Sequence, residues 1–427
     1  MRRLFLLNVV CLLAACAATD PDGARSTNVT AVDRPIAVSS GVGKRLDRSD
    51  AAPFGPSEMR GTWMVASASR EGALKGDELV RIRGNAAFLQ VRSRGDAWYT
   101  SSLEPMAVKA ELDPLRACVD AANGDYRVHA WVNMNLVADA TRLPSDPQHV
   151  VRAHPEWLCI PESLIGRAAM NAPRSPEFLA ELGRFCAGRK NEYEGLFADP
   201  AVPEYRSYVA AIVADIARRY PIAGVHFDYI RYANPTSGVA ASSLRAFEAQ
   251  VNLEVDVAQA SEMRARRSKD PLAYVKRFPK AYLQFRQNAV SEMVKECATR
   301  AREVSPDIVV SAAVFADIPD ARAGRAQDWP KWLADGVIDA AAPMIYTKDP
   351  NDFTRKLKAA VAAKGPGKIW AGIGAWLLTP AETSRRIEVA RGAEASGFVL
   401  FSHHALLGIE GIESVLKSGP LRLRSRP

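Results

Sequence analysis

The sequence predicts an α/β fold, a (β/α)8 TIM barrel with long insertions after its third and fourth strands. Strand-like apolar runs and helical patterns alternate eight times along the chain, which is the signature of that barrel. The runs close on polar or aromatic residues, as expected where strand ends feed an open mouth. A doubly wound open sheet fits less well, because no glycine-rich phosphate loop follows the first run.

The runs are Arg60 to Ala66, Asn85 to Arg92, Val128 to Met134, Gly224 to Tyr232, Val309 to Phe315, Ala341 to Tyr346, Ile369 to Trp376 and Gly397 to Ser402. In the fourth, Val225 and Phe227 alternate with His226 and Asp228 after a glycine, the period of two that marks a strand. Helical patterns between the runs include Leu112 to Ala122, Glu204 to Arg219, Tyr282 to Val304, Trp329 to Asp335, Asp352 to Ala363 and Pro380 to Ala395. The last opens on Thr379 as N-cap with Glu382 three residues on, a capping-box spacing. Roughly ninety residues separate the third run from the fourth, far more than an ordinary connection needs. Insertions of this length wall off a groove or brace the barrel.

Ahead of the barrel, Arg2 and Arg3 precede the mostly apolar Leu4 to Leu13, too short a run to span a bilayer. Residues 1–15 therefore read as a secretory signal. Leu13-Ala14-Ala15-Cys16 resembles the lipobox of bacterial lipoproteins, which implies cleavage before Cys16, its lipidation, and a soluble domain anchored to a membrane surface. Ala17, where a retention signal would place Asp, implies the outer membrane, facing the periplasm. Residues 16–56 read as a flexible tether rich in Ser, Asp, Gly, Ala and Pro, 57–418 as the barrel, and 419–427 as a basic tail.

The formal charge of +8 draws on Arg2, Arg3 and the tail arginines, and the remaining basic residues are dispersed. That speaks against nucleic acid as a partner and suits an acidic polymer or a membrane surface. Cys118, Cys159, Cys186 and Cys297 show no metal-ligand spacing. Cys159 and Cys186 flank one loop-like region, as a disulfide of an oxidising compartment or as two separate buried thiols. No metal or other cofactor is expected, since His403 and His404 lack a third ligand at a recognisable spacing.

Barrel strands point their C-terminal ends toward the mouth, so Asp228 is the first candidate for chemistry. The alternative is a local cap or a pair with Arg231. The other run ends gather Arg94, Asp96 and Tyr99 after the second, Asn133 and Asn135 after the third, Asp317 after the fifth, Tyr346 after the sixth, Trp376 after the seventh and His403 after the eighth. Such a rim suits a polar ligand with flat apolar faces, and a sugar is one. Trp63 and Trp131 read equally well as barrel filling.

Several motifs occur together in order: Arg94-Gly95-Asp96-Ala97-Trp98-Tyr99 before Leu103-Glu104-Pro105, His129-Ala130-Trp131-Val132-Asn133, His154-Pro155-Glu156-Trp157-Leu158, Gly224 to Tyr232, Gln327-Asp328-Trp329, Pro343-Met344-Ile345-Tyr346-Thr347 and Gly372-Ile373-Gly374-Ala375. From about Met59 to Leu407 the chain resembles the bacterial glycoside-hydrolase-like family ten. That resemblance implies a glycoside hydrolase acting on cell-wall glycan, in particular peptidoglycan strands stripped of their peptides. It places Asp228 where many barrel glycosidases hold a fourth-strand carboxylate. Glycosidases need two carboxyl groups across the scissile bond, and Asp317 is the preferred partner, followed by Asp96 and Asp349. Ile230 stands two residues after Asp228, where a chitinase-type pattern carries Glu, so a substrate-assisted mechanism is not expected. Arg94 and Arg231 suit the lactyl carboxylate of muramic acid or internal ion pairs. A silent glycan-binding protein, or a glycosidase of another polysaccharide, stays open on the same barrel.

Overall fold

The computed structural model of the protein describes residues 58–65, 76–107 and 113–422. The signal, Cys16, the tether up to residue 56, Ala66, Leu112 and residues 423–427 of the basic tail lie outside the described residues.

Among the described residues eight strands close into a parallel barrel: β1 (Met59–Met64), β2 (Ala86–Ser93), β3 (Arg127–Asn133), β4 (Gly224–Asp228), β5 (Val309–Phe315), β6 (Ala340–Ile345), β7 (Ala371–Gly374) and β8 (Gly397–Phe401). Each pairs with its neighbours in chain order and β8 returns to β1, with Gly61 against both Val399 and Ala86. Several strands end before their apolar runs do, β4 by the widest margin. β4 stops at Asp228 because Tyr229 turns to φ +50°, and β7 stops at Gly374 because Ala375–Leu377 forms a 3-10 turn that carries Trp376.

Alternate residues fill the barrel. Trp63, Phe88, Trp131 and Trp370 interdigitate with Ala313, Ala342 and Val399, large against small. His129 stacks on Phe88 at 4.7 Å. It needs Gly224 beside it, since a Cβ there would fall 2.3 Å from its Nδ1. His226 accepts from Trp63 Nε1 at 3.0 Å, and its Nδ1 lies 2.9 Å from Ser311 Oγ. Burial drives both imidazoles toward the neutral form, His129 down to about 3 and His226 well below its ordinary value.

The end of β3 is fixed from outside. The register of β2 against β3 slips between Gln90 and Arg92, and such a bulge re-aims a side chain. Gln90 stays opposite Trp131, whereas Arg92 leaves the alternation. Arg92 is fully buried, pairs with the equally buried Glu104 at 2.8 Å, and donates to the carbonyls of Asn133 at 2.5 Å and Met134 at 3.1 Å. Tyr205 also donates to Met134 O, at 2.5 Å.

The insertion after β3 begins with Leu136–Ala138, which pairs antiparallel with Leu196–Phe197, and continues into the helix Pro203–Arg219 against the barrel wall. The insertion after β4 holds the helices Ala241–Glu254, Val257–Arg267 and Pro279–Val304. Buried Asp199 ties the two together, accepting from Tyr232 Oη at 2.7 Å and from the Ala240 amide at 2.8 Å. Arg286 donates to the carbonyls of Pro235 and Asn234, at 2.6 and 2.9 Å. The predicted helices are present with shifted ends, for example Pro114–Ala122, Pro279–Val304 and Pro380–Gly392, and the Thr379–Glu382 capping box forms. Cys118, Cys159, Cys186 and Cys297 are buried free thiols, so of the two readings of Cys159 and Cys186 the structure shows separate thiols.

Removing one member of a buried ion pair strands the other charge and costs about 3–5 kcal/mol. Glu104→Gln is therefore expected to lower stability in urea unfolding by that order. Arg266→Ala breaks an exposed pair with Glu262 and is expected to change stability by less than about 1 kcal/mol.

Candidate active site

Asp228 closes β4 directly opposite Asn133, which closes β3. The residue is 8% exposed. Trp131 Nε1 donates to Oδ2 at 3.1 Å and the Tyr229 amide donates to Oδ1 at 2.6 Å. The left-handed conformation of Tyr229 is uncommon for a bulky residue, and strain of that kind collects at functional sites. Burial pushes the Asp228 carboxyl up to about 6, with the nearby Glu194 charge adding to the rise and the Tyr229 amide, Arg231 and Trp131 opposing it. A carboxyl poised in that range both gives and takes protons near neutral pH.

An aromatic wall continues from Trp131. Its ring lies 6.4 Å from Phe401 at the end of β8, which in turn packs against Tyr346 at 5.7 Å and Trp376 at 5.3 Å. Tyr346 and Trp376 meet edge-on at 4.8 Å. Trp376 remains 38% exposed, an uncommon state for so large an apolar side chain and one suited to stacking on a ligand. On the opposite flank, Gln90 Nε2 donates to Asn133 Oδ1 at 3.3 Å. The mouth thus unites Asp228, Asn133, Tyr346 and Trp376 of the sequence-derived candidates and adds Trp131 and Phe401.

The other candidates have different surroundings. Arg231 is 5% exposed and donates from Nη2 to both carboxylate oxygens of Glu194, at 3.0 and 2.8 Å. Its guanidinium is packed against the rings of Phe197, Tyr229 and Phe315. It is thereby held by an internal carboxylate. Arg94 and Asp96 sit at the turn of the short hairpin formed by the end of β2 and Asp96–Ala97, with Arg94 at φ +53° and Gly95 at +82°. Arg94 Nε is buried with no hydrogen-bond partner among the described residues. Burial, reinforced by Glu104, pushes Asp96 up to about 7, and its Oδ1 lies 3.7 Å from His149 Nε2. Tyr99 is fully buried edge-on to Tyr220 at 6.1 Å, enclosed in the core between barrel and helices. His403 is buried in the first turn of the helix His403–Leu407. Asp317 is the N-cap of the helix Ile318–Arg325, accepting from the Asp320 amide at 3.1 Å, and Asp349 caps Pro350–Ala362 in the same way. Glu194 was not among the sequence-derived candidates. It lies inside the long insertion, where no strand period marks it.

The family described as Glycosyl hydrolase-like 10 matches residues 184–369, the stretch that contains Glu194, β4, Asp228, β5 and β6. Glycosyl hydrolase DigH of Escherichia coli O6:H1 is 22% identical over 304 residues, covering 63% of this chain and 56% of the relative. Glycosyl hydrolase YngK of Bacillus subtilis strain 168 is 21% identical over 298 residues, covering 63% and 47%. The chain thus spans about half the length of these curated relatives. Among solved structures, the PgaB (BpsB) glycoside hydrolase domain from Bordetella bronchiseptica superposes with a TM-score of 0.58 at 15% identity, over 86% of this chain and 100% of that domain. A beta-galactosidase from Rahnella sp. R3 gives 0.54 at 12% identity, over 86% and 57%. These likenesses show the barrel fold.

A carboxyl raised in the folded state binds its proton more tightly there, so its burial subtracts stability as pH rises from about 4 to about 6, and the deficit persists above that range. Asp228→Asn is expected to remove the deficit. Urea unfolding should show the variant more stable than wild type at pH 7, on the order of 2 kcal/mol, with the difference vanishing below pH 4.

By its motifs and by the matched stretch through β4 to β6, the chain resembles the Glycosyl hydrolase-like 10 family and carries that resemblance on a closed (β/α)8 barrel.

Proposed function

We propose that the protein is a glycoside hydrolase of bacterial cell-wall glycan, acting on peptidoglycan strands stripped of their peptides, with Asp228 as its proton donor. The observation that carries this reading is a buried carboxyl, raised to about 6, hydrogen-bonded to Trp131 at the head of an aromatic wall that ends in exposed Trp376. Trp376 and Tyr346 offer flat faces to sugar rings, and Asn133 lies beside Asp228 to bond a hydroxyl. The family match and the names of the curated relatives support glycosidic bond hydrolysis. Because Arg231 is engaged by Glu194, the lactyl carboxylate of muramic acid falls to Arg94, at the turn of the hairpin that follows β2. Lipidation at Cys16 would tether the barrel to the envelope, within reach of that polymer.

In the reaction, the protonated Asp228 carboxyl gives its proton to the glycosidic oxygen as the bond to the anomeric carbon breaks. Activity therefore requires the acid form and is expected to fall as pH rises through about 6. Purified protein should release sugar fragments from amidase-treated sacculi, identified by mass spectrometry. Asp228→Asn is expected to reduce release by about 10²–10⁴-fold while glycan binding in a pull-down persists. Unchanged release by that variant contradicts the assignment. Arg94→Ala is expected to weaken binding of muramic-acid glycan several-fold and to leave a neutral glucosamine polymer unaffected.

A further inference from the structure

A glycosidase needs a second carboxyl group facing the sugar, and the sequence-derived choice, Asp317, accepts the Asp320 amide as a helix N-cap. We infer that Glu194, carried to the barrel mouth by the insertion after β3 and held there by Arg231, is that second group and acts as the catalytic base. This inference rests on the glycosidase reading given above.

The placement is built by a chain of neighbouring contacts. β3 and β4 continue to pair beyond their ends, with the Met134 amide donating to Asp228 O at 2.7 Å and the Asn135 amide to Tyr229 O at 3.2 Å. Asn135 Nδ2 then donates to Arg231 O at 3.2 Å, fixing the residue that grips Glu194. The Leu136–Ala138 strand leads away and Leu196–Phe197 returns beside it, so Glu194 re-enters two residues before that returning strand. Gly195 makes the approach possible, because a Cβ there would fall 2.1 Å from Ala138 O. The ring of Phe197 lies 6.2 Å from Tyr229, the residue after Asp228, and Arg231 packs against both rings.

The two partners of the ion pair differ in exposure. Arg231 is 5% exposed, whereas the Glu194 side chain is 40% exposed. Here a buried guanidinium presents a carboxylate outward, toward solvent, which is the arrangement a base needs to take a proton from water. Electrostatics agree with the placement, since the Glu194 charge acts on both Asp228 and Arg231.

Asp228 gives its proton to the glycosidic oxygen, and the bond from that oxygen to the anomeric carbon breaks with its electron pair going to the leaving sugar. A water oxygen forms the new bond to the anomeric carbon, and Glu194 takes the proton that this water loses. The sum is one glycan linkage plus one water giving two hydroxyl-bearing ends, after which Glu194 and Asp228 exchange protons with solvent.

The test compares Glu194→Gln, Glu194→Ala and Asp228→Asn with wild type on amidase-treated sacculi, together with glycan pull-down and thermal melting. Glu194→Gln is expected to lower fragment release by about 10²–10⁴-fold with binding retained. For Glu194→Ala, added azide is expected to restore turnover and leave a glycosyl azide detectable by mass spectrometry, a product that a merely structural ion pair does not generate. Full activity of Glu194→Gln, or rescue without a glycosyl azide, overturns the role of Glu194 while a dead Asp228→Asn leaves the glycosidase reading standing. Absence of cleavage by wild type overturns both.

Discussion

The site depends on one enclosed carboxyl group. Asp228 could have been a solvated strand end, but Trp131 and the Tyr229 amide take one oxygen each and the barrel mouth excludes most water from it. Withdrawing a carboxylate from water favours its protonated form. Enclosing the group costs local stability, and on the proposed reading that cost keeps an acid available near neutral pH.

The scaffold around Asp228 is correspondingly over-determined. The Arg92–Glu104 pair clamps the end of β3 from outside, the neutral imidazoles of His129 and His226 fill the barrel below, and Asp199 with Arg286 fixes the chain that leaves β4. Arg92, Glu104, His226, Asp199 and Arg286 are buried and hydrogen-bonded, whereas His129 is held by stacking on Phe88. They specify geometry more than they add stability, since paired charges in a core roughly offset their desolvation. A left-handed Tyr229 persists only in such surroundings.

The barrel was legible in the sequence because its signal is periodic: eight apolar runs separated by helical patterns, with caps such as Thr379 at their ends. Asp228, Asn133, Tyr346 and Trp376 were legible for the same reason, since strand ends point to the mouth. What the sequence hid depends on three-dimensional reach. Asp317 follows a strand as a catalytic residue would, yet its carboxylate serves the next helix, and sequence position does not separate those uses. Tyr99 follows a strand too, but the hairpin at Asp96–Ala97 folds it back into the core. Arg231 belonged to the fourth apolar run, but its partner Glu194 is thirty-seven residues away in an insertion without period. Trp131 read equally as filling, and only its indole nitrogen shows that it also holds Asp228.

On the proposed glycosidase reading, the barrel, the aromatic wall and the buried acid form a groove that would strip water from a sugar linkage at one point. A crystal structure of the Asp228→Asn protein soaked with a peptide-free muramyl-glucosaminyl oligosaccharide tests this most directly. The account predicts a glycosidic oxygen within about 3 Å of the residue 228 side chain, the hydrogen-bond reach of a proton donor, with a sugar ring against Trp376. A saccharide bound elsewhere, with residue 228 out of reach of any linkage, contradicts it.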